Sequence, residues 1–158
     1  MQDGGEARER ARTLSGLELL RAMIAGEAGV PGPAIGRTLG FRLVEVDKGR
    51  AVFEGQPGPH LLNPLGAVHG GFGLALIDSA CGCAVHSALD AGIGYTTVET
   101  KVNFTRAIAP GGGTVRCEGR VVTSGRRIAT AEARLLAADG KVLAHGTSTL
   151  MILAPRSG

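Results

Sequence analysis

The stretch from Phe72 to Val85, FGLALIDSACGCAV, constrains this chain more than any other: all of it but Asp78 and Ser79 is apolar or glycine. A helix apolar on nearly all sides must be buried on nearly all sides. The run is too short to cross a bilayer, and Asp78 interrupts it. Glycines and alanines at 70, 71, 73, 75, 80, 82 and 84 would let neighbouring strands approach the helix backbone closely. The isolated carboxylate is the oddity, because its charged form loses water in such surroundings. Ionisable groups placed this way are disproportionately functional, so Asp78 is a candidate nucleophile or general base.

What could cover such a helix follows from the rest of the pattern. Upstream, GFRLVEV and RAVFEGQ flank DKG, which predicts a hairpin. Downstream come four strand-like runs, Tyr95–Ala107, Thr114–Thr123, Arg127–Ala137 and Lys141–Leu153. In the first, Val98, Thr100, Val102 and Phe104 alternate with Thr97, Glu99, Lys101 and Asn103. PGGG, SG and ADG separate the four, and such short turns predict a sequential antiparallel meander. The expected fold is therefore α+β: a curved antiparallel sheet wrapped around a long central helix that starts near His69 or Gly70. An added N-terminal helix is predicted by the capping box SGLE at Ser15–Glu18 and the stop at Gly26. Residues 1 to about 12 read as a charged lead-in, and GVPGPAIG as a linker. The organisation is 1–35 tail, helix and linker, then 36–154 as the main domain.

Composition fits one packed core, with 158 residues and 44% hydrophobic content. The net charge of +3 could suggest nucleic acid, but the basic residues are scattered, and there is no Trp and only one Tyr for stacking. With no secretory h-region, a cytoplasmic protein without a membrane partner is expected. Cys81 and Cys83, two apart on a helix, point roughly 200° from each other and read as buried small residues, as does Cys117. His60, His86 and His145 show no metal-ligand spacing, so no metal is expected.

The helix start carries the second piece of chemistry. The first amides of a helix lack intrahelical partners, and the dipole there favours negative charge. Gly70 and Gly71 leave those amides accessible to a ligand oxygen, such as the developing oxyanion of an ester or thioester. His69 caps the helix or orients the loop. HGG also occurs in the oxyanion loop of lipase-like hydrolases, but no G-x-S-x-G elbow is present, and neither is a phosphate P-loop. Gly70 and Asp78 are eight residues apart, roughly 12 Å along a helix, and about 8–9 Å once side-chain lean is included. One reacting carbonyl needs both groups about 3 Å away. Gly70 of one subunit is therefore expected to face Asp78 of another across a two-fold interface.

These residues match a known pattern. NPLGAVHGG followed by LALID resembles the hotdog-fold thioesterases, specifically the phenylacetic-acid-degradation (PaaI-like) branch. TTVETKVNFTRAI and GRRIATAEARLLAADGKVLAHGT are similar to that family's later strands, so the resemblance spans roughly Gly36 to Leu153. It implies hydrolysis of an acyl- or aryl-coenzyme A thioester by a homodimer or homotetramer with sites shared between chains. It also implies that Asp78 attacks or activates water, Gly70 polarises the carbonyl and Asn63 positions substrate or water. A strand hydroxyl, Thr97 or else Thr96, assists the acid. No cofactor is expected beyond the coenzyme A of the substrate. Its phosphates have Arg106, Arg126 and Arg127 as candidate partners, although SGRR also reads as a plain exposed hairpin. The acyl pocket is expected near Leu61, Leu62, Gly71, Phe72, Leu76 and the N-terminal helix. The alternative is a non-catalytic acyl-CoA-binding or regulatory protein of the same fold.

Overall fold

In the computed structural model, which describes residues 9, 12–30 and 32–154, helix α1 runs over Gly16–Ala25. Ser15 Oγ accepts from the Glu18 amide, and Glu18 Oε2 accepts from the Ser15 amide at 2.8 Å, so the capping box forms as its sequence predicts. Gly26 ends the helix at φ 67°, a left-handed conformation that costs glycine nothing. Most of the expected lead-in lies outside the described residues. The expected linker is more ordered than its prolines suggest. It holds a short helix, α2 (Ala34–Leu39), that starts after Pro33 and ends on Gly40.

Strands β1 (Phe41–Asp47) and β2 (Arg50–Gly55) form the predicted hairpin, with Asp47 opposite Arg50. A 3-10 turn (Pro59–Leu61) leads to the long helix α3, Gly70–His86. Strands β3 (Gly94–Phe104), β4 (Val115–Ser124), β5 (Ile128–Leu136) and β6 (Val142–Leu153) complete one sheet. All its pairings are antiparallel, in the order β1-β2-β4-β5-β6-β3.

That order corrects the expected four-stranded meander. β4, β5 and β6 are sequential neighbours, but β3 pairs with β6 at the sheet edge. Both sides of β4 are taken, by β2 and β5, so β3 has no place beside it. The PGGG segment is not a hairpin turn but part of a crossing connection from Phe104 to Val115. Ten or so residues reach about 30 Å, ample for the few strand spacings involved.

The sheet curls around α3, which packs on β2, β3, β4, β5 and β6. Leu76, Ile77, Ala80, Cys81, Ala84 and Val85 are fully buried against Phe53, Cys117, Ala131, Leu135 and Leu150. Each fully buried large aliphatic side chain contributes about 1.5–3 kcal/mol. The close approach expected from the small residues occurs. A Cβ on Gly119 of β4 would lie 2.3 Å from the Ala80 carbonyl oxygen, so only glycine fits there. On β1, β2 and β4, arginines are matched with acids: Arg50 with Glu45 and Glu118, Arg116 with Glu54, Arg120 with Glu118. Those arginines form no free basic stripe. Among the described residues, no helix is long and apolar enough to cross a membrane.

Candidate active site

The NPLGAVHGG segment is a loop closed on itself. Asn63 Oδ1 accepts from the amides of Leu65 (2.9 Å) and Ala67 (3.1 Å), while the Asn63 amide donates to the Ala67 carbonyl. The His69 amide donates to the Leu61 carbonyl at 2.7 Å, and Leu62 bridges to Val68. Asn63 thus folds the loop with its carbonyl oxygen. Its Nδ2 makes no hydrogen bond within the described residues.

His69 is the N-cap of α3, and its Nδ1 accepts from the Gly71 amide at 2.8 Å. That contact fixes the histidine as a cap and removes the Gly71 amide from the donors open to a ligand. Gly70 holds the first helical position, where the amide has no intrahelical acceptor. A pocket of about 350 Å³ opens at Gly70, walled by Val68, Phe104, Arg106 and Ile108. The Phe104 ring lies over the helix start, 3.2 Å from where a Gly70 Cβ would sit, and is 51% exposed.

Asp78 sits half-buried two turns further along. Its Oδ1 accepts from Thr97 Oγ1 at 3.0 Å and from Thr100 Oγ1 at 2.9 Å. Thr100 in turn meets Ser148 Oγ at 2.9 Å, and Ser148 donates to the Glu99 carbonyl. Strict alternation would put Thr97 and Thr100 on opposite faces. A bulge between Thr97 and Glu99 re-phases the strand, turning both hydroxyls toward α3 and leaving Val98 57% exposed. Thr97 lies opposite the buried Leu150, whereas Thr96 lies opposite the exposed Met151, so Thr97 is the residue on the helix side. Thr100, Ser148 and Phe104 were not among the expected site residues. The alternation groups Thr100 with Val98, Val102 and Phe104 and sets it opposite Thr97, and nothing in the local pattern marks a bulge.

The thioesterase superfamily profile matches residues 65–144, a span containing Gly70, Asp78, Thr97 and Thr100. A protein of Saccharolobus solfataricus named as an esterase is 31% identical over 115 residues, covering 73% of this chain and 80% of its own length. The chain belongs to the thioesterase superfamily. A structure from Ralstonia eutropha, named as a thioesterase related to phenylacetic acid degradation, is 30% identical. It covers 84% of this chain and 98% of its own, with a TM-score of 0.75. A Streptococcus mutans protein, solved bound to acetyl-CoA, is 24% identical with a TM-score of 0.67, covering 74% of this chain and 91% of its own. The chain is a thioester hydrolase of the PaaI-like hotdog type.

Within this thioesterase the expected site residues fall into separate places. Gly70, His69 and Arg106 gather at the helix start, while Asp78 and Thr97 meet in mid-helix. Arg126 and Arg127 line a cavity of about 810 Å³, larger than the one at Gly70, with Leu89, Ile128, Met151 and Leu153. That cavity contains none of Asn63, Gly70 or Asp78, so its size does not mark the chemistry. Phe72, expected in the acyl pocket, is only 3% exposed and packs on Phe41. Leu61 and Leu76 are likewise core residues, whereas Leu62 stays on the surface. Helix α1 packs on β1 and on the far end of α3, where the Gly16 amide meets the Leu89 carbonyl. It stands away from Gly70 because the loop after α3 holds it there. Burial, with the Asp78 charge adding to it, pushes the Cys81 and Cys83 thiols up to about 12. Neither serves as a thiolate nucleophile.

Proposed function

We propose that this chain hydrolyses acyl-coenzyme A thioesters with Asp78 as the reacting carboxylate. The observation that carries the reading is the state of that carboxylate. It is half-buried on a mostly apolar helix, held at Oδ1 by two threonine hydroxyls, with no partner at Oδ2 among the described residues. In the reaction the thioester carbonyl oxygen lies at the Gly70 amide, which stabilises the negative charge that develops there. Asp78 Oδ2 either attacks the carbonyl carbon or takes a proton from the attacking water. On the first route the carbon–sulfur bond breaks as an acyl–Asp78 anhydride forms, the thiolate takes a proton from water, and a second water hydrolyses the anhydride to the free acid. On the second route the oxygen of water bonds the carbon, and the proton taken by Asp78 passes to the departing sulfur, so coenzyme A leaves as the thiol. Thr97 touches the reacting acid, and the free Nδ2 of Asn63 holds water or substrate.

Gly70 and Asp78 lie on one continuous helix, roughly 12 Å apart along its axis. A working site therefore joins Gly70 of one copy to Asp78 of a second. The acetyl-CoA bound by the Streptococcus mutans protein supports a coenzyme A substrate. Arg106 beside Gly70, and Arg126 with Arg127 at the larger cavity, are the proposed phosphate partners.

Thiol release from a panel of acyl- and aryl-CoA esters tests the reading. Activity is expected in the natural chain and its loss in Asp78→Asn, with binding of a non-hydrolysable analogue retained. Near-normal turnover in Asp78→Asn rules out the mechanism. Binding without turnover in the natural chain points instead to an acyl-CoA-binding protein.

A further inference from the structure

The inner face of β5 and β6 beneath α3 is built from Ala129, Ala131, Ala133, Leu135, Ala144 and Leu150. Ser148 breaks this apolar surface and is only 1% exposed. A buried hydroxyl is unfavourable unless it is hydrogen-bonded, and alanine would fill the same space without that demand. Ser148 lies directly opposite Thr100 in the β3–β6 pairing, and Thr100 is the residue that reaches Asp78. The chain thus places two hydroxyls at the cross-strand pair that lies under the carboxylate.

Counting protons fixes the direction of the chain. Thr100 has one, and it goes to Asp78 Oδ1. The contact between Thr100 and Ser148 must then use the proton of Ser148, which is shared with the Glu99 carbonyl beside the bulge. Thr97 supplies a second proton to the same Oδ1 from the more exposed side. Two donors on one oxygen lock the rotation of the carboxylate and commit that oxygen, while the other has no donor among the described residues. We infer that Thr100 and Ser148 are positioning residues: they clamp Asp78 Oδ1 from the sheet side and leave Oδ2 as the reacting oxygen.

This rests on the hydrolase reading above and deepens it. Thr100→Val keeps the β-branched shape, and the Ser148 proton keeps the Glu99 carbonyl, so no buried donor is orphaned. Losing a hydrogen bond to a charged group predicts a fall in kcat of about 10- to 100-fold. KM should stay within about twofold, since the contact is not to substrate. Thr100→Ser, which restores the hydroxyl, should recover most of the loss. Ser148→Ala should lower kcat less than Thr100→Val, because it acts through Thr100. Unchanged kcat in Thr100→Val, or a loss that Thr100→Ser does not recover, overturns the inference.

A double-mutant cycle in urea separates this from failure of the hydrolase reading. Thr100→Val should shift the unfolding midpoint differently in the natural chain and in Asp78→Ala. If the natural chain releases no thiol, the hydrolase reading falls, but such coupling still supports the clamp. Equal shifts in both backgrounds overturn it, whatever the activity.

Discussion

At the residue scale, the site depends on which polar atoms the fold leaves free. His69 occupies the Gly71 amide, Thr97 and Thr100 occupy Asp78 Oδ1, and the Asn63 carbonyl occupies the loop amides. Among the described residues, the Gly70 amide, Asp78 Oδ2 and Asn63 Nδ2 are left without a partner. Gly70→Pro removes the first of these, and its Cβ, 3.2 Å from the Phe104 ring, requires that half-exposed ring to shift slightly. Proline suits the first position of a helix, where its missing donor breaks no helical hydrogen bond. His69, at φ −63° and ψ 136°, already has the extended conformation that a following proline requires. The expected outcome in thiol-release assays is a fall in kcat of about 100-fold, as for loss of an oxyanion donor, with an unchanged circular dichroism spectrum.

At the element scale, β3 is the strand that a reading by alternation gets wrong. Its bulge adds one residue at the edge of the sheet and brings Thr97 round to the face that already holds Thr100. Deleting Val98, an exposed residue with little core to lose, should remove the bulge and leave Thr97 and Thr100 two positions apart, where alternation alone keeps both hydroxyls facing Asp78. Thiol release should therefore survive, within about tenfold of the natural chain, and the thermal melt should stay cooperative. A loss of about 100-fold or more would show that Thr97 no longer meets Asp78 and that the register derived for the shortened strand is wrong. The capping box of α1, the β1–β2 hairpin and the start of α3 were all legible in the sequence, because each is set by residues adjacent along the chain. The bulge was not, since a valine between Thr97 and Glu99 has the same local pattern whether or not it is bulged.

At the scale of the whole molecule, a site shared between copies has a consequence in mixing. Asp78→Asn and Gly70→Pro chains should each be inactive alone. Unfolded together and refolded, they should regain up to about a quarter of natural activity, because half the dimers are mixed and each mixed dimer has one intact site. No recovery, with mixed dimers demonstrated by mass spectrometry, would place both groups in a single chain's site. The buried titratable groups set the pH limits of the fold. Above pH 9 the thiols of the unfolded chain ionise, while Cys81 and Cys83 in the folded state stay protonated up to about 12. The folded state then holds more protons, so stability should fall as pH rises through that window. Burial lowers the His86 pKa below 6.5. As pH falls below 6.5 the unfolded histidine takes up a proton that the folded one refuses, and stability declines there too. Urea midpoints measured from pH 5 to 10 should pass through a maximum, and His86→Gln should flatten the acid side.

The amino-acid order alone establishes the buried helix, the antiparallel strands around it, the glycine pair at its start and the lone acid within it. Hydrophobic period, turn residues and capping are local properties, and they can be read from neighbours in the chain. The pairing of β3 with β6 is different in kind, because it depends on β2 and β5 having already filled both sides of β4. The burial of Phe72 depends on Phe41, contributed by a distant strand. Asp78 has the same double character. Its presence in an apolar helix is visible in the sequence, but the partners that hold it come from β3 and β6, and packing alone brings those strands to it.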